Sequence, residues 1–268
     1  MVASARPWKF IGYALMGIAL YLFFMVATLP AYWLGEALSR TSNGVLALRN
    51  THGTIWNGNG LLELRASGAS ALSSHALWEL QLLPLLTGKL SLTVETRGDI
   101  TLRSNLLLGP RSLSLRNTEW ELAATQLPAL YAPAMFISPT GNLHGKADEF
   151  TIDAGQVRGE TQIRWMGAGS RLGALNELGD YLLVVHGDNG QATLRMETLR
   201  GDLRIAATGA WQPAQKGQLT LQGTLNTGAR DDALKPLTAL LQARREGDHY
   251  LLTSSTRLPL PAWLGPKP

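Results

Sequence analysis

The chain has 268 residues, which is long enough to bury a substantial core, and a formal net charge of only +4. Its basic residues are scattered along the sequence, which excludes the clustered basic face that nucleic-acid-binding proteins use. The chain contains no cysteine, so disulfides, thiol nucleophiles and cysteine-based zinc sites are excluded as well. A chain without thiols also suits an oxidising compartment such as the bacterial periplasm.

The first predicted element is an apolar helix near the N-terminus. The stretch from Phe10 to Leu29 carries no charged side chain, and as a helix it spans roughly 30 Å, the thickness of a bilayer's hydrocarbon core. Pro30 is expected to end the helix. The sequence therefore predicts a transmembrane anchor over residues 10–34, with these residues as bilayer contacts: Phe10, Tyr13, Leu20, Tyr21 and Leu29.

A cleavable signal peptide is the competing interpretation of this segment. Such peptides have an apolar core of about 7–15 residues followed by a small-residue cleavage motif. The apolar run here is longer, and residues 26–31 offer no clear motif, so a retained anchor is favoured. Arg6 and Lys9 precede the helix, which predicts a cytoplasmic segment over residues 1–9 and a periplasmic location for the rest of an inner-membrane protein.

Beyond the anchor, apolar and polar residues alternate in many short runs. Leu90, Leu92 and Val94, for example, are separated by Ser91 and Thr93, a period of two that is typical of strands with one buried face. Glycine, asparagine and aspartate separate the runs and favour turns, as at Asn57-Gly58-Asn59-Gly60. The pattern predicts a mainly β protein, with an antiparallel, many-stranded sandwich or curled sheet. We divide it into two β units, residues 35–165 and 166–257.

Two short helices are expected to pack on this sheet. Residues 123–136 contain two prolines and allow only one or two helical turns. Residues 231–246 fit better, because aspartates can cap the start, leucines form an apolar stripe and Gly247 can end the helix. Residues 258–268 are rich in proline and are predicted to form a flexible tail.

A search for catalytic or ligand-binding motifs finds none. The histidines do not occur at the spacing of metal ligands, and no serine elbow or phosphate-binding loop is present. We therefore predict no catalytic, cofactor-binding or metal-binding residues and no enzymatic activity. The strand-like stretches contain most of the tryptophans, including Trp56 and Trp78. We interpret these as packing residues first and as a recognition surface second.

One pair of motifs resembles a known family. Gly53-Thr54-Ile55-Trp56-Asn57-Gly58 is followed by a second segment from Trp78 to Gly88, and together they resemble the hallmark of protein N of the bacterial type II secretion system. The resemblance continues in order along the chain, at Thr140–Leu143, Leu178–Tyr181, Gly201–Trp211 and Asp231–Leu252. The motif residues that it assigns to structure or to an interface are Gly53, Trp56, Gly58, Trp78, Leu80, Pro84 and Gly88.

This resemblance implies a function in protein export. The family is a single-pass inner-membrane component with a periplasmic domain and no known catalytic residues. It implies contacts with the bilayer and with other secretion proteins, either inner-membrane platform subunits or the secretin, and it implies no cofactor. The alternative is an anchored periplasmic β-groove protein, similar to the AsmA-like family, that binds or transfers lipid. A groove of that kind needs a continuous apolar inner face.

Overall fold

The computed structural model describes residues 7–65, 71–171, 177–228, 243–258, 260–261 and 263–265. The chain begins with helix α1 (Pro7–Ala27). Every side chain described from Gly12 to Val26 is exposed, so α1 has no packing partner in this part of the chain. Tyr13, Leu20 and Tyr21 lie on this exposed surface, and Phe10 also belongs to the helix.

The structure places the end of the predicted helix earlier than the sequence did. The helix is confirmed, but it ends at Ala27, and a second helix that the sequence did not predict, α2 (Tyr32–Thr41), follows. Pro30 lies in the break because it has no N–H to donate and disfavours helical backbone at Leu29. Within the described ranges, no helix combines the length and the apolar character that crossing a membrane requires, so the predicted span is not supported.

The rest of the described chain forms one open antiparallel sheet, which confirms the mainly β prediction and decides against a two-sheet sandwich. Its order is β1 to β12 in sequence, followed by β14 and β13 at the edge. The strands are β1 (Leu46–Gly53), β2 (Asn57–Leu64), β3 (Leu72–Gln81), β4 (Leu90–Gly98), β5 (Ile100–Leu108), β6 (Ser112–Ala123), β7 (Pro139–Asp153), β8 (Gln156–Ser170), β9 (Gly179–Asp188), β10 (Gln191–Arg200), β11 (Arg204–Gln212), β12 (Gln218–Asn226), β13 (Arg244–Glu246) and β14 (His249–Arg257).

The predicted division near residue 165 is not marked by a break in the sheet. β8 pairs with β9 across it, from Gly159 opposite Gly187 to Trp165 opposite Tyr181. Three clusters of buried apolar residues lie along the sheet, and tryptophans pack against each of them. The alternation seen in the sequence therefore puts one set of side chains into these clusters and leaves the other set in solvent.

Because consecutive strands are antiparallel neighbours, every second connection lies at the same rim of the sheet. The sheet has two rims, and we call the one next to the α1–α2 break the helix-side rim. Its connections are residues 54–56, 82–89, 109–111, 154–155, 189–190 and 213–217. The opposite rim holds the short turns Ala124–Gln126, Leu127–Leu130 and Ala132–Phe136. The sequence predicted at most one or two helical turns in that segment, and the structure has three short helical pieces there, of three, four and five residues.

The helix predicted over residues 231–246 is wrong at its C-terminal end. Arg244–Glu246 form strand β13, which pairs with the start of β14, and Gly247 lies in the hairpin turn between them. Pairing with an exposed strand edge supplies partners for the backbone groups there, and this outweighs the helical pattern of the side chains. The rest of the predicted helix, residues 231–242, lies outside the described residues.

The described residues of the C-terminal tail contact the sheet. Trp211 donates a hydrogen bond from Nε1 to the Leu258 carbonyl oxygen over 3.0 Å. Arg111 donates from Nη2 to the Gly265 carbonyl oxygen over 2.6 Å, and Leu264 is buried. The predicted flexibility of residues 258–268 stays a prediction, but these contacts tie the tail to the helix-side rim at two points.

Candidate functional site: the junction between the N-terminal helix and the sheet

Trp56 connects the N-terminal helix to the sheet. It lies in the β1–β2 turn, not in a strand as the sequence pattern predicted. Its indole Nε1 donates a hydrogen bond to the carbonyl oxygen of Val26 over 2.9 Å. The same carbonyl, in the last turn of α1, also accepts from the Leu29 N–H over 3.2 Å, so the Trp56 indole adds a second donor at the end of the helix.

Backbone hydrogen bonds reinforce the same junction. The Ile55 N–H donates to the Leu29 carbonyl over 2.9 Å, and the Ala31 N–H donates to the Gly53 carbonyl over 3.1 Å. Pro30 and Thr54 form an isolated antiparallel bridge between these two contacts. The α1–α2 break therefore lies along the β1–β2 turn as a short additional strand-like segment, which fixes the point where the helix leaves the domain.

Trp78 supports this turn from beneath. It is almost fully buried in β3, and its Nε1 lies 3.3 Å from the Thr54 carbonyl oxygen and 3.2 Å from that of Ile55. Gly58 lies over the indole ring, where a Cβ atom would be 2.5 Å from Cζ2 of Trp78. The two tryptophans and Gly58 therefore act together. Trp56 bonds to the end of α1, and Trp78 bonds to the β1–β2 turn in which Trp56 lies.

The second half of the motif forms the connection between β3 and β4. The Leu80 N–H donates to the Trp56 carbonyl over 2.6 Å, which ties this connection to the same turn. Residues Leu83–Thr87 form a 3₁₀ helix with Pro84 in its first turn. Gly88 ends it in the left-handed conformation, with φ of 70°, which glycine adopts without the steric cost of a side chain.

The seven motif residues hold the helix, the turn and the β3–β4 connection together, and none of them is a catalytic residue type. None of the titratable residue types that serve as nucleophiles or bases occurs among the seven motif residues. His144 and His186 each lie within 4 Å of one glutamate, Glu121 and Glu160, on the exposed face of the sheet. Over the described ranges, no three metal-ligating side chains of the histidine, aspartate or glutamate type come together.

One buried ionisable group lies elsewhere, in the core of the second half of the sheet. The hydroxyl of Tyr181 donates to the Leu203 carbonyl over 3.0 Å. Burial raises the pKa of this hydroxyl above its usual value, and the neighbouring Asp180 carboxylate raises it further. A tyrosine that stays neutral and hydrogen-bonded in the core has a packing role.

An open groove of about 450 Å³ lies across strands β4 to β8. Charged side chains of both signs line much of it, and Glu95 pairs there with Arg103 over 2.9 Å. The remaining charged lining residues are Arg97, Glu119, Glu121, Lys146 and Arg164. A groove with this lining suits a polar protein surface better than a lipid tail.

Sequence reasoning identified the motif but missed its partners. Val26 and Leu29 contribute only carbonyl oxygens, which every residue type has, so no side-chain pattern marks them. The predicted role of Leu29 as a bilayer contact stays a prediction; its carbonyl bonds to Ile55 in the junction. Asn57 and Gly58, predicted as part of a turn, begin strand β2.

Comparison with known proteins supports one family. A sequence model of the family described as type II secretion system (T2SS), protein N, matches residues 45–253, which is more than half of the chain. No match is found among curated proteins or among solved structures. The matched segment contains Gly53, Trp56, Gly58 and Trp78, the residues that build the junction. The chain therefore belongs to the family of type II secretion system protein N.

Proposed function

We propose that this chain is a non-enzymatic subunit of the type II secretion system that holds a periplasmic β sheet at the inner membrane. There the sheet contacts other secretion proteins during the export of folded substrates. The observation that carries the proposal is the family match over residues 45–253. The N-terminus is cytoplasmic in this proposal, because Arg6 and Lys9 precede the helix.

The character of α1 supports an association with the bilayer. The helix exposes apolar side chains on all sides, including Leu15, Ile18 and Phe23. A helix that is apolar all round requires an apolar environment, which water does not provide. The junction at Trp56 then holds the sheet next to the membrane, because the end of the helix is hydrogen-bonded to the β1–β2 turn.

The structure favours a protein partner over the alternative of a lipid-binding groove. The apolar face of the sheet is filled by three packed clusters, one of which contains the short turns of residues 124–130. Charged side chains line the groove across β4 to β8. A lipid tail bound there would displace the water around these charges and offer them no polar contact in return. Exposed side chains in this groove are the first candidates for contacts with other subunits.

In-cell photo-crosslinking tests the proposal. A photoreactive amino acid replaces Arg97, Glu121 or Arg164 in the groove, and Leu225, which is buried, is the control position. We expect adducts with secretion subunits from at least one groove position and none from position 225. In parallel, a deletion strain should lose export of the substrates of this pathway and regain it with the intact chain. Normal export in the deletion strain, together with no subunit adduct, would contradict the proposal.

A further inference from the structure

The connection between β3 and β4 exposes three leucines at the helix-side rim, and we call residues Leu82–Leu85 the leucine turn. Leu82 is 49% exposed, Leu83 is 80% exposed and Leu85 is 39% exposed. Leucine side chains that project together into water are unfavourable, and such groups mark contacts with apolar partners. The pattern of alternation in the strands does not require these leucines, because they lie in a connection and not in a strand.

The leucine turn is held close to the point where α1 meets the sheet. The Leu80 N–H bonds to the Trp56 carbonyl, and the Trp56 indole bonds to Val26 at the end of α1. Two exposed aromatic residues, Tyr32 and Trp33, follow the break at the start of α2. Tyrosine and tryptophan at the end of an apolar helix are typical of the boundary between a bilayer and water.

The backbone of the turn is already hydrogen-bonded within itself. The Leu85 N–H donates to the Leu82 carbonyl over 3.1 Å, and the N–H groups of Gly88 and Lys89 donate to Leu85 and Pro84 over 3.0 Å. Pro84 itself has no N–H. Backbone groups that lack partners keep irregular segments out of an apolar phase, so a turn bonded in this way can enter one at lower cost.

We propose that the Leu82–Leu85 turn is a second membrane contact, which lies in the interfacial layer of the bilayer that receives α1. This inference rests on the proposed association of α1 with the membrane. It adds that the sheet stands with its helix-side rim against the lipid. Two contacts on one rim restrain the tilt of the sheet relative to the bilayer more strongly than the junction at α1 alone, and they turn the opposite rim toward the periplasm.

The absence of cysteine makes a site-specific test direct. Three full-length variants each carry one labelled cysteine: Leu83→Cys in the turn, Phe136→Cys on the opposite rim and Phe23→Cys in α1. Phe136 is a matched control because it is 63% exposed and also lies in a short 3₁₀ helix containing a proline. All three positions are exposed, so substitution does not disturb packing.

Each variant carries an environment-sensitive NBD label and is reconstituted into phosphatidylethanolamine–phosphatidylglycerol vesicles, with or without lipids that carry a quenching spin label. We expect a large loss of fluorescence at positions 23 and 83 and little loss at 136. Quenching at 23 without quenching at 83 overturns the second contact but leaves the association of α1 intact. Equal quenching at 83 and 136 overturns the orientation. No quenching at any position contradicts the proposed membrane association itself, and the inference with it.

Discussion

The indole Nε1 of Trp56 donates a hydrogen bond to the carbonyl oxygen of Val26, thirty residues earlier in the chain, over 2.9 Å. This contact joins the end of the N-terminal helix to the first hairpin of the sheet. The Leu29 and Ala31 backbone groups bond to the same turn, so the junction has several independent contacts. The angle at which the helix leaves the sheet is therefore fixed by the turn, and the turn is fixed by Trp78 beneath it.

Replacing Trp56 with phenylalanine removes the donor and keeps the aromatic ring. Loss of one hydrogen bond of this kind costs about 1 kcal/mol. We expect faster amide hydrogen exchange in residues 28–34, with little change in the sheet. Trp165→Phe is the control, because its indole donates to Thr140 over 2.9 Å far from the junction. Unchanged exchange at residues 28–34 in Trp56→Phe would show that the bond does not hold the helix.

The sequence predicted those parts of the fold that leave a local pattern. The alternation around Leu92 indicated strands, and the apolar run to Leu29 indicated α1. The break before α2 and the position of Trp56 in a turn depend on bonds between residues 22 to 30 positions apart, which leave no periodicity. Asn57 and Gly58 looked like a turn because both residue types favour turns. Gly58 is a glycine in a strand because the ring of Trp78 occupies the space of its side chain.

Replacing Gly58 with alanine tests this explanation. The new Cβ would lie 2.5 Å from the Trp78 ring and 2.5 Å from the His52 carbonyl oxygen, so the ring or the backbone must move. Forced overpacking of this kind costs about 1–3 kcal/mol. We expect a lower unfolding midpoint in urea. In a background where Trp78 is leucine, the same substitution should cost less, because the two residues interact directly.

Gly88→Ala is the control for the predicted dependence of the Gly58→Ala cost on Trp78. No atom lies within 4 Å of its Cβ position, so only the left-handed backbone conformation opposes alanine there. That conformation costs roughly 1–2 kcal/mol for a residue with a side chain. We expect the Trp78→Leu background to leave this cost unchanged. If it lowers the costs of both glycine substitutions equally, the contact between Gly58 and Trp78 is not the cause.

The buried hydroxyls of Ser104 and Thr118 form a pair on neighbouring strands, with 2.7 Å between their oxygens. Thr118→Val keeps the shape of the side chain but leaves the Ser104 hydroxyl without this partner. We expect a loss of about 1–3 kcal/mol in the free energy of unfolding. Adding Ser104→Ala should recover most of this loss, because the unsatisfied group is then gone. Two additive costs, measured by urea unfolding, would contradict the pairing.

Tyr181 should make the fold sensitive to alkaline pH. Its pKa in the folded chain lies above the value of about 10 that an unfolded tyrosine has. The stabilisation is therefore fully present below pH 10 and is lost as the pH rises toward the folded pKa, because the unfolded chain releases the proton first. In Tyr181→Phe the fall in stability above pH 10 should be smaller. Tyr131→Phe, at an exposed position, should keep the fall of the unmodified chain.

The contacts of the C-terminal tail lead to the last prediction. Leu264 is only 2% exposed and lies next to Gly265, whose carbonyl accepts the hydrogen bond from Arg111. Leu264→Ala removes buried apolar surface worth about 2 kcal/mol, so the released fraction of the tail should rise about thirtyfold. Limited proteolysis between residues 258 and 265 measures this release. Trp263→Ala, at the exposed neighbouring position, should leave the cleavage rate nearly unchanged. Equal effects of the two substitutions would mean that burial of Leu264 does not hold the tail against the helix-side rim.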